Sequence, residues 1–107
     1  MENAQTGTMN HAQYLAHLQK AIKASHGCDS KHVERVPVRE VYLGQTAWEG
    51  NVEVFDLIKH AKAKRCHAWA YDIPSGSRTM AVLEIPPVNS PATAVRGAIL
   101  HELQEIE

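Results

Sequence analysis

The amino-acid sequence predicts an α+β two-layer sandwich, in which an N-terminal helix, a four-stranded antiparallel meander and a C-terminal helix follow one another. Three observations predict it: an apolar stripe of helical spacing near each end, two pairs of alternating runs between them, and turn-forming residues between the runs. Because two amphipathic helices need a sheet face to cover, both are expected on one side of the sheet. With 107 residues, 44% of them hydrophobic, the chain is predicted to be one domain over residues 1–107.

The first helix is expected to begin at Asn10, whose side chain can cap the helix while Gln13 reaches back to it. Gly27 is a suitable left-handed terminator. Residues 1–9 have neither periodicity nor apolar content and are expected to form a flexible arm. The apolar face of the helix consists of Tyr14, Leu15, Leu18, Ala21 and Ile22.

The first pair of strands is predicted from Val33 to Leu43 and from Thr46 to Leu57, with a turn at Gly44 and Gln45. Pro37 has no N–H group to donate, so the first of these strands is expected at a sheet edge.

The sequence does not determine the register of this pair of strands. A two-residue turn would set Glu40 opposite Glu49, and two like charges that face each other are destabilising. Gly50 is a candidate for a β-bulge, because glycine tolerates the irregular backbone that a bulge needs.

The second pair of strands lies between Ala63 and Ile85, with a turn at Pro74, Ser75 and Gly76. Pairing Asp72 with Arg78 would gain at most about 1 kcal/mol from an exposed charge pair. That register puts small side chains on one face, namely Cys66, Ala68 and Ala70 with Met80 and Val82. The opposite face then carries His67, Trp69 and Tyr71 with Ala81, Leu83 and Ile85.

The second helix is expected after Pro86 and Pro87, which end the last strand. Ser90 is a good N-cap and Pro91 suits the first helical position. The apolar stripe of this helix consists of Val95, Ala98, Ile99 and Leu103.

The aromatic face of the second hairpin is the first candidate for function. Small side chains on the other face would let the helices approach that face closely, so the aromatic face is expected to point outward. The alternative, that the aromatic face lies beneath the helices, stays open. An exposed aromatic patch is typical of a protein interface, most often in a two-fold homodimer, or of a ligand cleft. The predicted partner- or ligand-binding residues are Arg65, His67, Trp69, Tyr71 and Leu83.

A basic segment precedes the aromatic strand and consists of Lys59, Lys62, Lys64 and Arg65. Cations beside stacking platforms are typical of single-stranded nucleic-acid binding, so this is the alternative function. The simpler interpretation is a solvated connector, because 11 basic and 12 acidic residues give the whole chain a net charge of only -1.

Metal binding and catalysis have weak support in the sequence. His26, Cys28, Cys66 and His67 do not have the spacing of a zinc site, so no metal and no cofactor is predicted. No nucleophile, phosphate-loop or dinucleotide motif occurs. A small enzyme with a histidine base is therefore the third hypothesis, and its catalytic residues stay unassigned. The pairs considered for it combine His60 or His67 with Asp56, Asp72 or Glu84.

The cellular compartment is predicted from the hydropathy of the sequence and from its number of cysteines. The sequence begins with the polar run MENAQTGTMN, and no window approaches the roughly 18 apolar residues of a membrane span. Two cysteines fit a reducing compartment in which both are thiols, although one bridge between them stays possible. We expect a cytoplasmic protein without a membrane partner.

Two stretches resemble known sequences, namely WEGNVEVFDLIKHAKAKRCHAWAY (Trp48 to Tyr71) and VLEIPPVNSPATAV (Val82 to Val95). Both are similar to segments of small uncharacterised bacterial proteins of the kind found on mobile integron gene cassettes. The resemblance covers roughly the last 60 residues and implies a bacterial accessory protein, without assigning a functional residue. The order of elements also resembles double-stranded RNA-binding domains, but this chain has a fourth predicted strand and no Lys or Arg from Pro91 to Val95.

The leading hypothesis is therefore a small binding or interaction protein, homodimeric through or beside the aromatic sheet face. Binding would bury apolar area on that face, with His67 and Arg65 as polar anchors.

Overall fold

The computed structural model of the chain describes residues 10–106, with side chains as far as His101, so the predicted arm lies outside the described residues. The predicted α+β class is confirmed: two helices flank a four-stranded antiparallel sheet of strand order β1-β2-β3-β4. The elements are α1 (His11–His26), β1 (Asp29–Tyr42), β2 (Gln45–Ile58), β3 (Arg65–Ile73), β4 (Gly76–Leu83) and α2 (Pro91–Ile106).

Both helices begin where the sequence predicts. The Gln13 N–H donates to Asn10 Oδ1 at 2.8 Å, and the Asn10 N–H donates to Gln13 Oε1 at 3.0 Å, which completes a capping box. At α2, the Ser90 N–H donates to Thr93 Oγ1 at 3.0 Å and the Thr93 N–H donates back to Ser90 Oγ at 3.2 Å. Local side-chain chemistry alone therefore determines both starting points.

The turn between β1 and β2 is one residue earlier than predicted. Leu43 and Gly44 occupy it with φ values of 53° and 78°, and Tyr42 lies opposite Gln45. Positive φ at both central residues is typical of the type I′ turn, whose twist matches that of paired strands. A leucine in this conformation is uncommon, and Gly44 beside it adopts the same region without a steric cost.

The predicted bulge at Gly50 is wrong, because Gly50 pairs regularly with Val38. The register shifts instead at Ala47, an extra residue of β2 between two regular pairs, and again at Val33 in β1. The earlier turn removes the predicted pair of Glu40 with Glu49, and the bulge at Ala47 then sets Glu49 opposite Arg39.

The predicted register of β3 and β4 is wrong by one residue. Asp72 pairs with Ser77, and Arg78 lies opposite Tyr71, because only Pro74 and Ser75 form the turn. A one-residue change moves every side chain of a strand to the other face. Met80 and Val82 therefore share a face with Trp69, while Ala81 and Leu83 lie on the face of Cys66.

The two helices cover opposite faces of the sheet, so the expectation that both lie on one side is wrong. Leu18 and Ile22 of α1 pack in a cluster with Phe55, and α2 packs against Trp69, which is only 2% exposed. The predicted outward aromatic face is thus covered. Both faces of the sheet are apolar, so one helix on each face buries more apolar area than two helices on the same face.

The two hairpins separate toward their turns. Pairing between β2 and β3 runs only from Asp56 with Arg65 to Glu53 with Ala68, although both strands continue beyond the last pair. On the α1 side of the gap, the Ala70 N–H donates to Tyr14 Oη at 3.0 Å. Burial raises the pKa of this tyrosine, so its hydroxyl stays protonated at neutral pH.

Cys28 and Cys66 are buried free thiols. Burial raises the pKa of Cys66 from 9.0 to about 12, and the neighbouring Cys28 adds to this rise. None of the described helices is long and apolar enough to cross a bilayer.

The Cys66 thiol is expected to make the protein sensitive to alkaline pH. Since its folded-state pKa lies above the unfolded value, its contribution is complete below pH 9 and is lost as pH rises toward about 12. The free energy of unfolding should fall by up to about 1.4 kcal/mol per pH unit in that window. Urea denaturation of the wild type and of Cys66→Ala at pH 8, 9.5 and 11 measures the difference, and parallel pH profiles would contradict the expectation.

Candidate functional site

An apolar cleft of about 160 Å³ lies where the two hairpins separate, on the α2 side of the sheet. We call it the aromatic cleft. Its walls are Ala47, Trp48, Trp69, Tyr71 and Met80 from the sheet, with Val95, Ala98 and Ile99 from α2. The strands supply the aromatic rings, and the helix supplies small and branched side chains that leave space between them.

The two tryptophans of the chain meet in this cleft. The ring centroids of Trp48 and Trp69 are 5.8 Å apart, with an angle of 53° between the ring planes. Trp69 is held in the core beneath α2, whereas Trp48 is partly exposed and lies across Gly50. A Cβ atom at Gly50 would be 2.9 Å from the Trp48 ring, so this glycine makes room for the indole.

Gly50→Ala is expected to displace the Trp48 ring, because the added methyl group and the indole cannot occupy the same space. The contact with Trp69 should then change, and the tryptophan fluorescence spectrum and the near-UV circular dichroism should change with it. Gly97→Ala is the matched control, since a Cβ atom at Gly97 meets nothing within 4 Å. Unchanged spectra in Gly50→Ala would contradict this account of the glycine.

The chemistry available in the aromatic cleft is apolar contact and ring stacking. None of the described residues that line it is charged, and among them the Tyr71 hydroxyl is the one side-chain hydrogen-bonding group besides the indole N–H groups. An apolar cavity of about 150 Å³ is sufficient for a benzene-sized molecule. The cleft therefore suits a compact, uncharged ligand with one or two rings.

Of the five predicted binding residues, the structure brings Trp69 and Tyr71 together in this cleft. Leu83 lies on the opposite face, opposite Cys66, because of the register difference. Arg65 is occupied by an ion pair with Asp56, with Nε 3.1 Å from Oδ1.

Trp48 and the α2 residues of the cleft were not predicted as binding residues from the sequence. A signal for Trp48 was present, since a glycine two residues from a tryptophan on the same face of a strand offers room for a ring. The α2 contribution had no comparable signal, because it depends on which face the helix covers.

His67 is a buried structural residue in this conformation. Its Nε2 lies 2.9 Å from Glu84 Oε1, so one of the acid–base pairs considered from the sequence does form. The imidazole is only 2% exposed, however, and its Nδ1 is buried without a protein partner. No substrate can reach either ring nitrogen without movement of the surrounding core.

The basic segment forms an ordered connector between β2 and β3. The backbone N–H groups of Lys62 and Ala63 both donate to His60 Nδ1, at 3.0 and 3.1 Å. Lys59, Lys62 and Lys64 are exposed. Among the residues that the structure describes, no three His, Cys, Asp or Glu side chains converge as a metal site requires.

A buried carboxylate on the α1 face was not predicted. Glu53 is fully buried, and its two oxygens lie 2.8 Å from His32 Nε2 and 2.6 Å from Arg35 Nε. Arg35 Nη2 in turn donates to His11 Nδ1 at 3.0 Å, so the network reaches the start of α1. Because every member is hydrogen-bonded, it connects α1, β1 and β2 rather than presenting a reactive group.

A second ion pair holds α2 against the edge strand. Arg96 donates to both carboxylate oxygens of Glu40, with Nε 2.9 Å from Oε1 and Nη2 3.3 Å from Oε2. The hydrogen bond to this carboxylate raises the pKa of Arg96. This bidentate pair orients the helix that forms one wall of the aromatic cleft.

Comparisons of the chain with protein-family models, with curated proteins and with solved structures found no match. The function must therefore be argued from the chemistry of the site itself.

Proposed function

We propose that this protein binds a compact, uncharged aromatic molecule in the aromatic cleft. The observation that carries the proposal is the cleft itself, an apolar space of about 160 Å³ with Trp48, Trp69 and Tyr71 around it. Ligand sites are typically concave and lined by apolar and aromatic side chains, with few polar groups to orient the ligand.

The magnitude of binding follows from the apolar area that such a ligand would bury. Indole would bury roughly 200 Å², which is worth about 5 kcal/mol at 25 cal/mol per Å². A dissociation constant on the order of 0.1 to 1 mM is therefore expected for this probe.

The test uses the tryptophan side chains as reporters. The chain contains two tryptophans, and both line the cleft, so its two indole N–H signals in a ¹H–¹⁵N spectrum report on the site directly. Addition of indole is expected to shift both signals saturably. The absence of a saturable shift would overturn the proposal.

A matched pair of variants separates cleft binding from unspecific contact. Ala98→Leu places a larger side chain in the cleft and should weaken indole binding at least about tenfold, because the ligand must displace it. Gly97→Leu adds the same side chain at the neighbouring position, where the space around the backbone is open, and should leave the affinity unchanged. Equal effects of the two variants would count against the cleft.

α2 covers the aromatic sheet face through which a homodimer was predicted. Homodimerisation stays a prediction, but it needs a different contact surface. The exposed apolar residues at the turn of the β1–β2 hairpin are the more suitable contact, with Val41 56% and Leu43 85% exposed. Light scattering should give twice the monomer mass of 11.9 kDa. Leu43→Ser should then lower the measured mass to that of the monomer, and a monomeric wild type would refute the dimer.

A further inference from the structure

A second cleft, of about 520 Å³, lies at the end of α1 and on the α1 side of the sheet. It shares no residue with the aromatic cleft. The end of α1 forms one wall and the connector between β2 and β3 forms the other, with Cys28 and Leu83 as apolar surface. His26, Lys59, His60 and Lys62 supply its polar side chains, so we call it the histidine–lysine cleft.

The hydrogen bonds of the two imidazoles determine which nitrogens carry protons. His60 Nδ1 accepts from the N–H groups of Lys62 and Ala63, so the proton of the neutral ring is on Nε2. His26 Nε2 lies 2.8 Å from the carbonyl oxygen of Ala81, which can only accept, so this nitrogen is a donor. The ring centroids of His26 and His60 are 6.5 Å apart, close enough for one small ligand to contact both.

The side-chain charges of the described residues that line this cleft are positive. Lys59 and Lys62 form no ion pair within the described residues, and no carboxylate is among the cleft walls. The nearby carboxylates of Asp29 and Asp56 are each paired with another cation. The C-terminal end of α1 contributes the opposite sign, but only about half an elementary charge, against two full charges from the lysines.

The backbone holds Lys59 in a conformation that is unusual for lysine. Its φ is 61°, in the left-handed region, which costs a residue other than glycine about 1 kcal/mol. Strained backbone of this kind is concentrated at functional sites, where the surrounding structure maintains it. The conformation keeps the ammonium-bearing residue at the wall of the cleft, beside His60.

We propose that the histidine–lysine cleft binds a small phosphorylated molecule. A phosphate monoester carries between about -1.5 and -2 charges at pH 7, which matches the two lysines. Its oxygens can accept from the ammonium groups and from the His60 Nε2–H. The volume is that of a small-molecule site, and the walls come from three separate segments, which suits a compact ligand better than an extended polymer.

The first experiment follows the imidazole signals of His26 and His60 by NMR during titration with inorganic phosphate and with ribose 5-phosphate. Both probes are expected to shift these signals saturably, while acetate, with a single charge, should bind several-fold more weakly. A ten-nucleotide single-stranded DNA is the competing probe. Tighter binding of the DNA than of ribose 5-phosphate, with shifts that extend to Lys64 and Arg65, would overturn the small-molecule proposal in favour of nucleic acid, as would the absence of any shift.

The second experiment uses surface variants that preserve the fold. Lys59→Gly keeps the left-handed backbone without strain, and combined with Lys62→Ser it should weaken ribose 5-phosphate binding by roughly 10- to 100-fold. The control removes two exposed lysines outside the cleft, with Lys20→Ser and Lys31→Ser, and should change the affinity less than twofold. Equal losses in the two double variants would overturn the site, because they would show only a general charge effect.

Discussion

Arg35→Met is expected to destabilise the protein by about 3–5 kcal/mol, because it leaves the buried carboxylate of Glu53 without its cationic partner. The Arg35 side chain is 43% exposed while that of Glu53 is fully buried. The variant is therefore destabilised because the Glu53 carboxylate stays buried and water cannot solvate its charge. His32 would remain as a partner, but it is positively charged only when protonated. Glu53→Gln should be less destabilising, because loss of the carboxylate leaves the partly exposed side chains of His32 and Arg35, which water can solvate.

The control for this prediction is Arg39→Met on the same strand. Arg39 is exposed, and among the described residues its guanidinium bonds to the Thr46 hydroxyl alone, so its loss should change the free energy of unfolding by no more than about 0.5 kcal/mol. Urea denaturation at pH 8 measures both variants. A deficit in Arg35→Met similar to that of Arg39→Met would contradict the assignment of Glu53 as a buried charge.

Trp69→Ala is expected to destabilise the protein by about 3–5 kcal/mol, the range for removal of a large aromatic side chain from a packed core. Trp69 is 2% exposed and packs in the cluster formed with Val52 and Val95. If the aromatic face were open to solvent, the same change would cost less than about 1 kcal/mol, as surface substitutions do. The measurement therefore tests directly whether α2 covers this face.

Leu100→Ala is the matched control for Trp69→Ala. It also truncates a large apolar side chain, but one that is 47% exposed, and should cost about 1 kcal/mol or less. Equal costs for the two variants would contradict the covered face. If Trp69→Ala lowers the free energy of unfolding strongly and also abolishes indole binding, the same side chain stabilises the packing of α2 and forms the aromatic cleft.

The two clefts differ in chemistry and lie on different faces of the sheet, so a single chain of this size offers two independent sites. The aromatic cleft exists because β2 and β3 stop pairing at Glu53 and Ala68, and the rings fill only part of the space between the hairpins. The histidine–lysine cleft exists because the connector between these strands closes against the end of α1.

Local chemistry in the sequence determined the class of fold, the starts of both helices and the end of α1. The Asn10 capping box, the Gly27 terminator and the Ser90 cap all depend on residues within four positions of one another, so their outcome needs no knowledge of the rest of the chain. The order of the strands followed for a similar reason, since neighbouring antiparallel strands pair by default.

Only the tertiary structure decided the registers, the faces and the site. The two-residue turn at Pro74 and Ser75 prevailed over an Asp72–Arg78 pair worth at most about 1 kcal/mol, and this one-residue difference moved Met80 and Val82 to the face of Trp69. Because both sheet faces are apolar, each has a helix of its own, and α2 buries Trp69 with Trp48 beside it. The side of a sheet on which a helix packs depends on the total apolar area buried across the whole chain. That area depends on residues far apart in the sequence, so a local sequence pattern cannot predict it.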